Sequence, residues 1–254
     1  MVLAILQARV SSSRLPGKVL LPILGKPMLQ HQLERLATAG MIDKLVVATS
    51  DWESDEPLVA LCHKAGVDCF RGSLEDVLDR FYQCARRYQP DVVVRLTGDC
   101  PLADPQVIDE IVQYLVENDY DYVSNSLEPS FPDGLDVEAF RFTVLESAWR
   151  EAKLPSQREH VTPFIWQQPD RFKIGSFKSE TDLSHLRWTV DEPDDFELVK
   201  AIYEGLYPGN RMFTTEEILR FLRDNPDLLR LNACMDRNEG YRKSLQKDRT
   251  ERES

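Results

Sequence analysis

The chain lacks the usual glycine-rich devices for holding phosphate. Glycine makes up 11 of 254 residues, and neither GxxxxGK[ST] nor GxGxxG occurs, which excludes a Walker-type loop and a dinucleotide fingerprint. Cations are in deficit, 31 lysines and arginines against 43 aspartates and glutamates, for a net charge of −12. Such a balance repels nucleic acid as a bulk partner, so any anionic ligand must be held by a local cluster of cations. The five cysteines (Cys62, Cys69, Cys84, Cys100, Cys234) show no CxxC spacing. That pattern argues for reduced, mostly buried thiols and against a zinc site. The apolar run Val2–Leu6 is too short for a membrane span or a signal-peptide core, and no basic segment precedes it. The chain therefore reads as cytoplasmic, with no membrane partner, and no internal repeat is evident.

What is present is an alternation of strand and helix patterns. Leu45–Thr49 and Val92–Leu96 are short, β-branched and nearly continuous, as buried strands are. Gln30–Ala39, Glu56–Ala65, Glu75–Tyr88 and Pro105–Glu117 carry apolar residues at one-face helical spacing. Strand, helix, strand, helix predicts an α/β fold with a mostly parallel, Rossmann-like sheet flanked by helices. The second half is less regular and predicts a smaller mixed lobe. Its expected strands are Tyr122–Ser124, Gly134–Phe142, Phe172–Phe177 and Leu186–Val190. Its expected helices are Thr143–Ala152, His160–Gln167, Pro193–Tyr207 and Thr214–Asn225. One domain over residues 1–232 is expected, with a nucleotide-binding part at about 1–120 and an acceptor-binding part at about 121–185. Residues 233–254 read as a charged C-terminal tail, mobile at its end and without a catalytic role.

The first candidate site follows Val2–Leu6. Arg9, Arg14 and Lys18 are spaced over ten residues, with Ser11, Ser12 and Ser13 between them. Small residues let backbone N–H groups approach phosphate oxygens while the cations neutralise charge. Spacing alone equally fits a basic surface loop. The full pattern Arg14-Leu15-Pro16-Gly17-Lys18, followed by Gly25-Lys26-Pro27, resembles the N-terminal signature of sugar nucleotidylyltransferases. It is most similar to the cytidylyltransferases that activate acidic sugars, in their SpsF-like spore-coat polysaccharide branch. The resemblance implies that Ala8, Arg9, Ser11, Ser12, Ser13, Arg14 and Lys18 bind nucleotide, with Arg14 and Lys18 catalytic.

Two carboxylates stand at expected strand ends. Thr97-Gly98-Asp99-Cys100-Pro101-Leu102 follows Val92–Leu96, and Asp191 follows Leu186–Val190. From spacing, Asp99 fits a Mg²⁺ ligand or a cap of the next turn, and the acidic run Asp191–Asp195 fits a helix start. The resemblance implies that Asp99 (catalytic) and Asp191 are the metal ligands and Mg²⁺ the cofactor, with Asp194 and Asp195 left as helix-start residues. Better-known keto-deoxy-sugar enzymes carry Gln-Gly-Asp-Glu where this chain has Thr97-Gly98-Asp99-Cys100.

Thr49, Ser50 and Asp51 end the second expected strand on the same edge as Thr97, and all four are nucleotide candidates. The resemblance adds Arg71 and Ser73 as base-pocket candidates, while Asp76 and Arg80 also fit a helix-surface ion pair. Asp133, Asp136, Glu138, Arg158 and His160 are the acceptor candidates, since polar loop groups read sugar hydroxyls and Arg or His meets carboxylate or phosphate. Arg158-Glu159-His160 equally fits a helix-start turn. The activity implied is transfer of CMP from CTP to a sugar acceptor with release of pyrophosphate, in a homodimer. Transfer to a sugar phosphate from another nucleoside triphosphate, a GT-A glycosyltransferase and a nucleotide-binding regulatory domain are the alternatives. No Asp-x-Asp follows a mid-chain strand, which weighs against the glycosyltransferase.

Overall fold

The structure, a computed structural model, describes residues 1–233, 237 and 239–252; Cys234 lies outside the described residues. Its frame is a seven-stranded sheet of order β5-β4-β1-β6-β8-β7-β9. The strands are β1 (Val2–Gln7), β4 (Lys44–Ser50), β5 (Asp68–Gly72), β6 (Val92–Thr97), β7 (Tyr122–Ser124), β8 (Glu138–Arg141) and β9 (Ile174–Ser176). The short pair β2 (Pro22–Ile23) and β3 (Lys26–Pro27) forms a separate hairpin. β5, β4, β1 and β6 are parallel, whereas β8 runs antiparallel to both β6 and β7. Each long strand alternates its side chains between two cores, as the pleat requires. Ala4 and Leu6 of β1 face one apolar cluster, and Leu3 and Ile5 face the other. The first cluster takes α1 (Met28–Leu36), α2 (Glu56–Ala65), α4 (Pro105–Glu117), α8 (Pro193–Leu206) and α9 (Thr215–Asp224). The second takes α3 (Val77–Tyr88), α5 (Phe142–Glu151) and α7 (Pro163–Trp166). Beside them, α6 (Pro155–His160) packs on α3 and α10 (Glu239–Arg252) on α6. The chain winds outward from β1 through β4 to β5, then returns to place β6 on β1's other side. The strand order therefore reverses between β1 and β6, and ligands of open α/β sheets bind at that crevice. Gly98 closes it: a Cβ there would lie 2.9 Å from Ala8 Cβ and 3.2 Å from the Gln7 carbonyl oxygen.

Several sequence expectations are corrected here. Leu186–Val190 joins no ladder and contributes one bridge, Asp133 to Arg187. It is held by backbone bonds instead, with Trp188 and Thr189 N–H donating to the Asp133 carbonyl at 2.6 and 2.9 Å. β5 was not expected; its residues Asp-Cys-Phe-Arg-Gly lack a β-branched run. The expected helix His160–Gln167 breaks into α6 and α7 at Val161, whose φ of +71° is left-handed and strained for a β-branched residue. Within the expected tail, Glu239–Arg252 fold as α10 and dock on α6, while residues 234–236, 238, 253 and 254 lie outside the described residues. Cys62, Cys84 and Cys100 are buried free thiols and Cys69 is half-buried. Among the described residues no helix is long and apolar enough to cross a membrane.

Gly134 marks where loop 129–137 lies against segment 186–190. Its φ is +109°, and a Cβ would stand 2.4 Å from Thr189 N and 2.6 Å from Trp188 C. Both are backbone atoms with no room to yield, so Gly134→Ala is expected to destabilise the protein by about 2 kcal/mol or more. Denaturant unfolding measures this; an unchanged midpoint would show that the two segments do not pack so closely.

Candidate active site

The loop after β1 is shaped from beneath by a residue the sequence analysis did not single out. Asp55, fully buried, accepts from Val10 N–H (2.8 Å), Thr49 Oγ1 (2.8 Å) and Ser50 N–H (3.1 Å). Burial opposes its charge, but the donors from Ser50, Val10 and Thr49 outweigh it and hold the carboxyl below its ordinary range. Thr49 and Ser50 are fully buried, with both hydroxyls given to Asp55. They support the loop from below. Gly17, at φ +71°, turns the chain so that Lys18 points inward.

Lys18 is the hinge of the site. Its Nζ donates to the Val190 carbonyl at 2.7 Å, to Asp191 Oδ1 at 2.9 Å and to Asp99 Oδ2 at 3.4 Å. Burial works against the ammonium, but Asp99 and Asp191 more than compensate and hold its pKa above the ordinary value. Asp99 shows the converse: burial disfavours its charge, and Lys18 draws its pKa below the usual value. Asp191 reaches this point without a ladder strand. Val190 N–H donates to the Asp99 carbonyl at 2.8 Å and Thr189 Oγ1 to the same oxygen at 3.2 Å. From behind, Asp195 accepts from the N–H groups of Asp191 and Glu192, both at 3.0 Å, and from Arg187 Nε at 2.9 Å. Arg14 completes the cluster with ion pairs to Asp191 (2.8 Å), Glu239 (3.1 Å) and Glu192 (3.7 Å).

This cluster stands at one side of a cavity of about 420 Å³. Of the residues expected to form the site, the cavity gathers Arg14, Thr97, Asp99, Asp133, Asp136, Glu138, His160 and Asp191. Asp133 pairs with Arg187 at 2.9 Å, and Asp136 pairs with Arg237. Burial nonetheless raises Asp136 to about 7, with Arg237 opposing the rise. Glu138 pairs with Arg95 and accepts from Tyr122 Oη at 2.6 Å and from Thr162 Oγ1. His160 hydrogen-bonds Ser244 at 2.9 Å, and its pKa falls to about 4, chiefly through burial and then through Arg95. Arg95, Tyr122, Thr162, Trp166 and Tyr241 line the cavity and were missed. Arg95 had a signal, a lone cation inside an apolar strand.

Other expected residues lie elsewhere. Arg9, Ser11, Ser13 and Asp51 are exposed, and Ser12 accepts from Leu15 N–H at 3.4 Å. Ala8 is buried against Gly98. Arg71 ties the chain after β4, donating to the carbonyls of Asp51 (2.9 Å) and Trp52 (3.2 Å) and pairing with Glu56. Ser73 caps a turn through Asp76 N–H at 3.0 Å. Arg158 is absent from the cavity wall; it bonds Asp76 and the Trp149 carbonyl. Asp76 thus caps α3 and pairs with Arg158, so the Asp76–Arg80 ion pair does not form. Arg80 is 1% exposed instead, and among the described residues its Nε and Nη2 have no protein partner. Burial, then the neighbouring Arg9, lowers its pKa to about 10.

The residues present fit a divalent cation completed by substrate. Asp99 and Asp191 are hard oxygen donors with 30% and 18% of their side-chain surfaces open. Mg²⁺ on nucleotides takes one or two such carboxylates and fills the rest with phosphate oxygens and water. Among the described residues no group of three or more His, Cys, Asp or Glu side chains is placed to hold an ion by itself.

A doubly wound sheet, a cationic loop at the strand-reversal crevice and two carboxylates around it define a nucleotidylyltransferase. Comparison with known proteins narrows the class. The cytidylyltransferase family model matches residues 3–219, and the chain belongs to that family. The spore coat polysaccharide biosynthesis protein SpsF of Bacillus subtilis is 36% identical over 89% of this chain and 95% of its own. A 3-deoxy-manno-octulosonate cytidylyltransferase of Geobacter metallireducens is 40% identical over 45% of this chain and 44% of its own. A solved cytidylyltransferase of Leptospira borgpetersenii superposes with a TM-score of 0.87 at 32% identity, covering 93% of this chain and 99% of that one.

His160 supplies a pH test. Its folded pKa of about 4 lies below the unfolded value of 6.5, so the unfolded chain binds the extra proton between those values. Its contribution is present above 6.5 and is lost as pH falls toward 4. His160→Gln is expected to flatten the loss of unfolding free energy between about pH 6.5 and 5. An unchanged slope in denaturant titrations would mean that His160 is not held neutral.

Proposed function

We propose that the protein transfers CMP from CTP to a hydroxyl of a sugar, an acidic keto sugar for surface polysaccharide, in a Mg²⁺-dependent reaction. The observation that carries this reading is Lys18 clasped between Asp99 and Asp191 beside Arg14, at the side of a cavity large enough for a sugar. The GT-A alternative is set aside by the family match. Asp99 and Asp191 would hold the metal, which when bound neutralises triphosphate oxygens and polarises the α-phosphorus. The chain's own groups do the rest. Arg14 and Lys18 exchange carboxylate partners for phosphate oxygens and take up charge as the pyrophosphate departs. N–H groups of the loop over Ser11–Arg14 approach the same oxygens, and Arg9 adds positive charge at the rim. Arg95, held by Glu138, meets the acceptor's carboxylate, while Asp133 and Asp136 accept from its hydroxyls. The acceptor oxygen attacks in line on the α-phosphorus; its bond to phosphorus forms and its proton passes to water as the bond to pyrophosphate breaks.

Pyrophosphate release with Mg²⁺, each nucleoside triphosphate and a panel of keto-sugar acids and sugar phosphates tests this. Turnover is expected with CTP, and Asp99→Asn or Asp191→Asn should lower kcat at least ~10²-fold in protein that still unfolds cooperatively. Near-normal turnover in either variant removes that residue from the metal site. No pyrophosphate with any pair sinks the reading.

A further inference from the structure

The charged C-terminal segment ends as a helix in contact with the cavity, and its attachment is specific. Ser156 N–H and Oγ donate to Asp248 at 2.9 and 2.6 Å, and both residues are buried. Ser244, 1% exposed, donates to Glu159 at 2.8 Å and bonds His160 at 2.9 Å. Buried side-chain bonds across more than 80 residues fix the helix in register on α6. Its first turn then meets the cavity. Glu239 accepts from Arg14 at 3.1 Å, which places this turn next to the reacting centre. Tyr241 stands edge-on to His160, with ring centroids 5.2 Å apart at 85°, and to Trp166 at 5.8 Å and 66°. Its hydroxyl accepts from Gln167 Nε2 at 2.9 Å, so the ring is pinned at its far end.

We propose that α10 is one wall of the acceptor subsite and that Tyr241 is a specificity-determining residue for the sugar. The chemistry matches a hydroxylated pyranose. Its C–H face packs on aromatic rings, while its hydroxyls reach the carboxylates Asp133, Asp136 and Glu138 in the same cavity. The family model's match ends at residue 219, short of this wall. The proposal rests on the acceptor being a sugar, as in the function proposed above.

The test uses the full chain and two readouts. Calorimetric titration with 3-deoxy-manno-octulosonate, related keto-sugar acids and neutral hexoses gives sugar Kd, and pyrophosphate release gives KM for CTP and for sugar. Tyr241→Ala is expected to weaken the Kd and raise the KM of the preferred sugar at least tenfold and to flatten the ranking within the panel. KM for CTP should stay within about twofold, which also certifies the fold. Tyr241→Phe, which keeps the ring, should restore sugar binding. Should the alanine variant fail to fold, Tyr241→Leu keeps the bulk, loses the aromatic face and is read the same way. Sugar affinity and ranking equal to the parent's in the alanine or leucine variant, or no sugar of the panel binding the parent, would overturn the proposal. Sugar binding that depends on Tyr241, with no pyrophosphate from any triphosphate, would support the wall and overturn the CMP-transfer reading instead.

Discussion

One buried ammonium joins the parts of this site. Lys18 lies at the end of the first loop, Asp99 beyond the fourth parallel strand, and Asp191 almost a hundred residues later at the start of α8. The three meet through Lys18 Nζ, held by both carboxylates and by the Val190 carbonyl, and through the bonds of Val190 and Thr189 to the Asp99 carbonyl. A buried cation without such partners is costly, and so are buried carboxylates without a cation. Each group therefore needs the others, and the loop, the strand end and the helix start are fixed as a unit. The same contact explains how a strongly acidic chain presents a place for an anion: positive charge is concentrated where two carboxylates already require it.

Around this centre charge is matched locally. Arg187 is shared by Asp133, Asp191 and Asp195, and Arg95 by Glu138 and the aromatic ring of Phe81. Matching of this kind fixes side-chain directions, which a transfer reaction needs more than it needs net charge. It also leaves polar atoms to spare, as at Arg80 and Arg95 Nε. The strain at Val161 belongs to the same design. A left-handed β-branched residue separates α6 from α7 and turns both His160 and Thr162 toward the cavity.

How much of this was legible in the sequence follows from the physics of each element. β1, β4 and β6 announced themselves because strands covered on both faces are continuous apolar runs. β5 did not, since an edge strand reading Asp-Cys-Phe-Arg-Gly buries little more than Phe70. Asp99 and Asp191 were found by motif, but Asp191 arrives on an extended segment zipped to a loop, and no periodicity reveals that. Asp55 was invisible because its work is to accept hydrogen bonds from residues that themselves looked functional. α10 read as a tail because its attachment is polar: Ser244 and Asp248 carry it, and hydrophobic patterning does not detect buried serine. Arg158 took the ion pair with Asp76 that was open to Arg80, since an acidic helix cap pairs with whichever cation folding brings near it.

The central claim is that Lys18 and Asp191 act as one energetic unit. A double-mutant cycle of Lys18→Met and Asp191→Asn, read by denaturant unfolding at neutral pH, tests it most directly. The account predicts a coupling energy of about 1 to 3 kcal/mol between the two substitutions. Effects that add to within about 0.5 kcal/mol would contradict it.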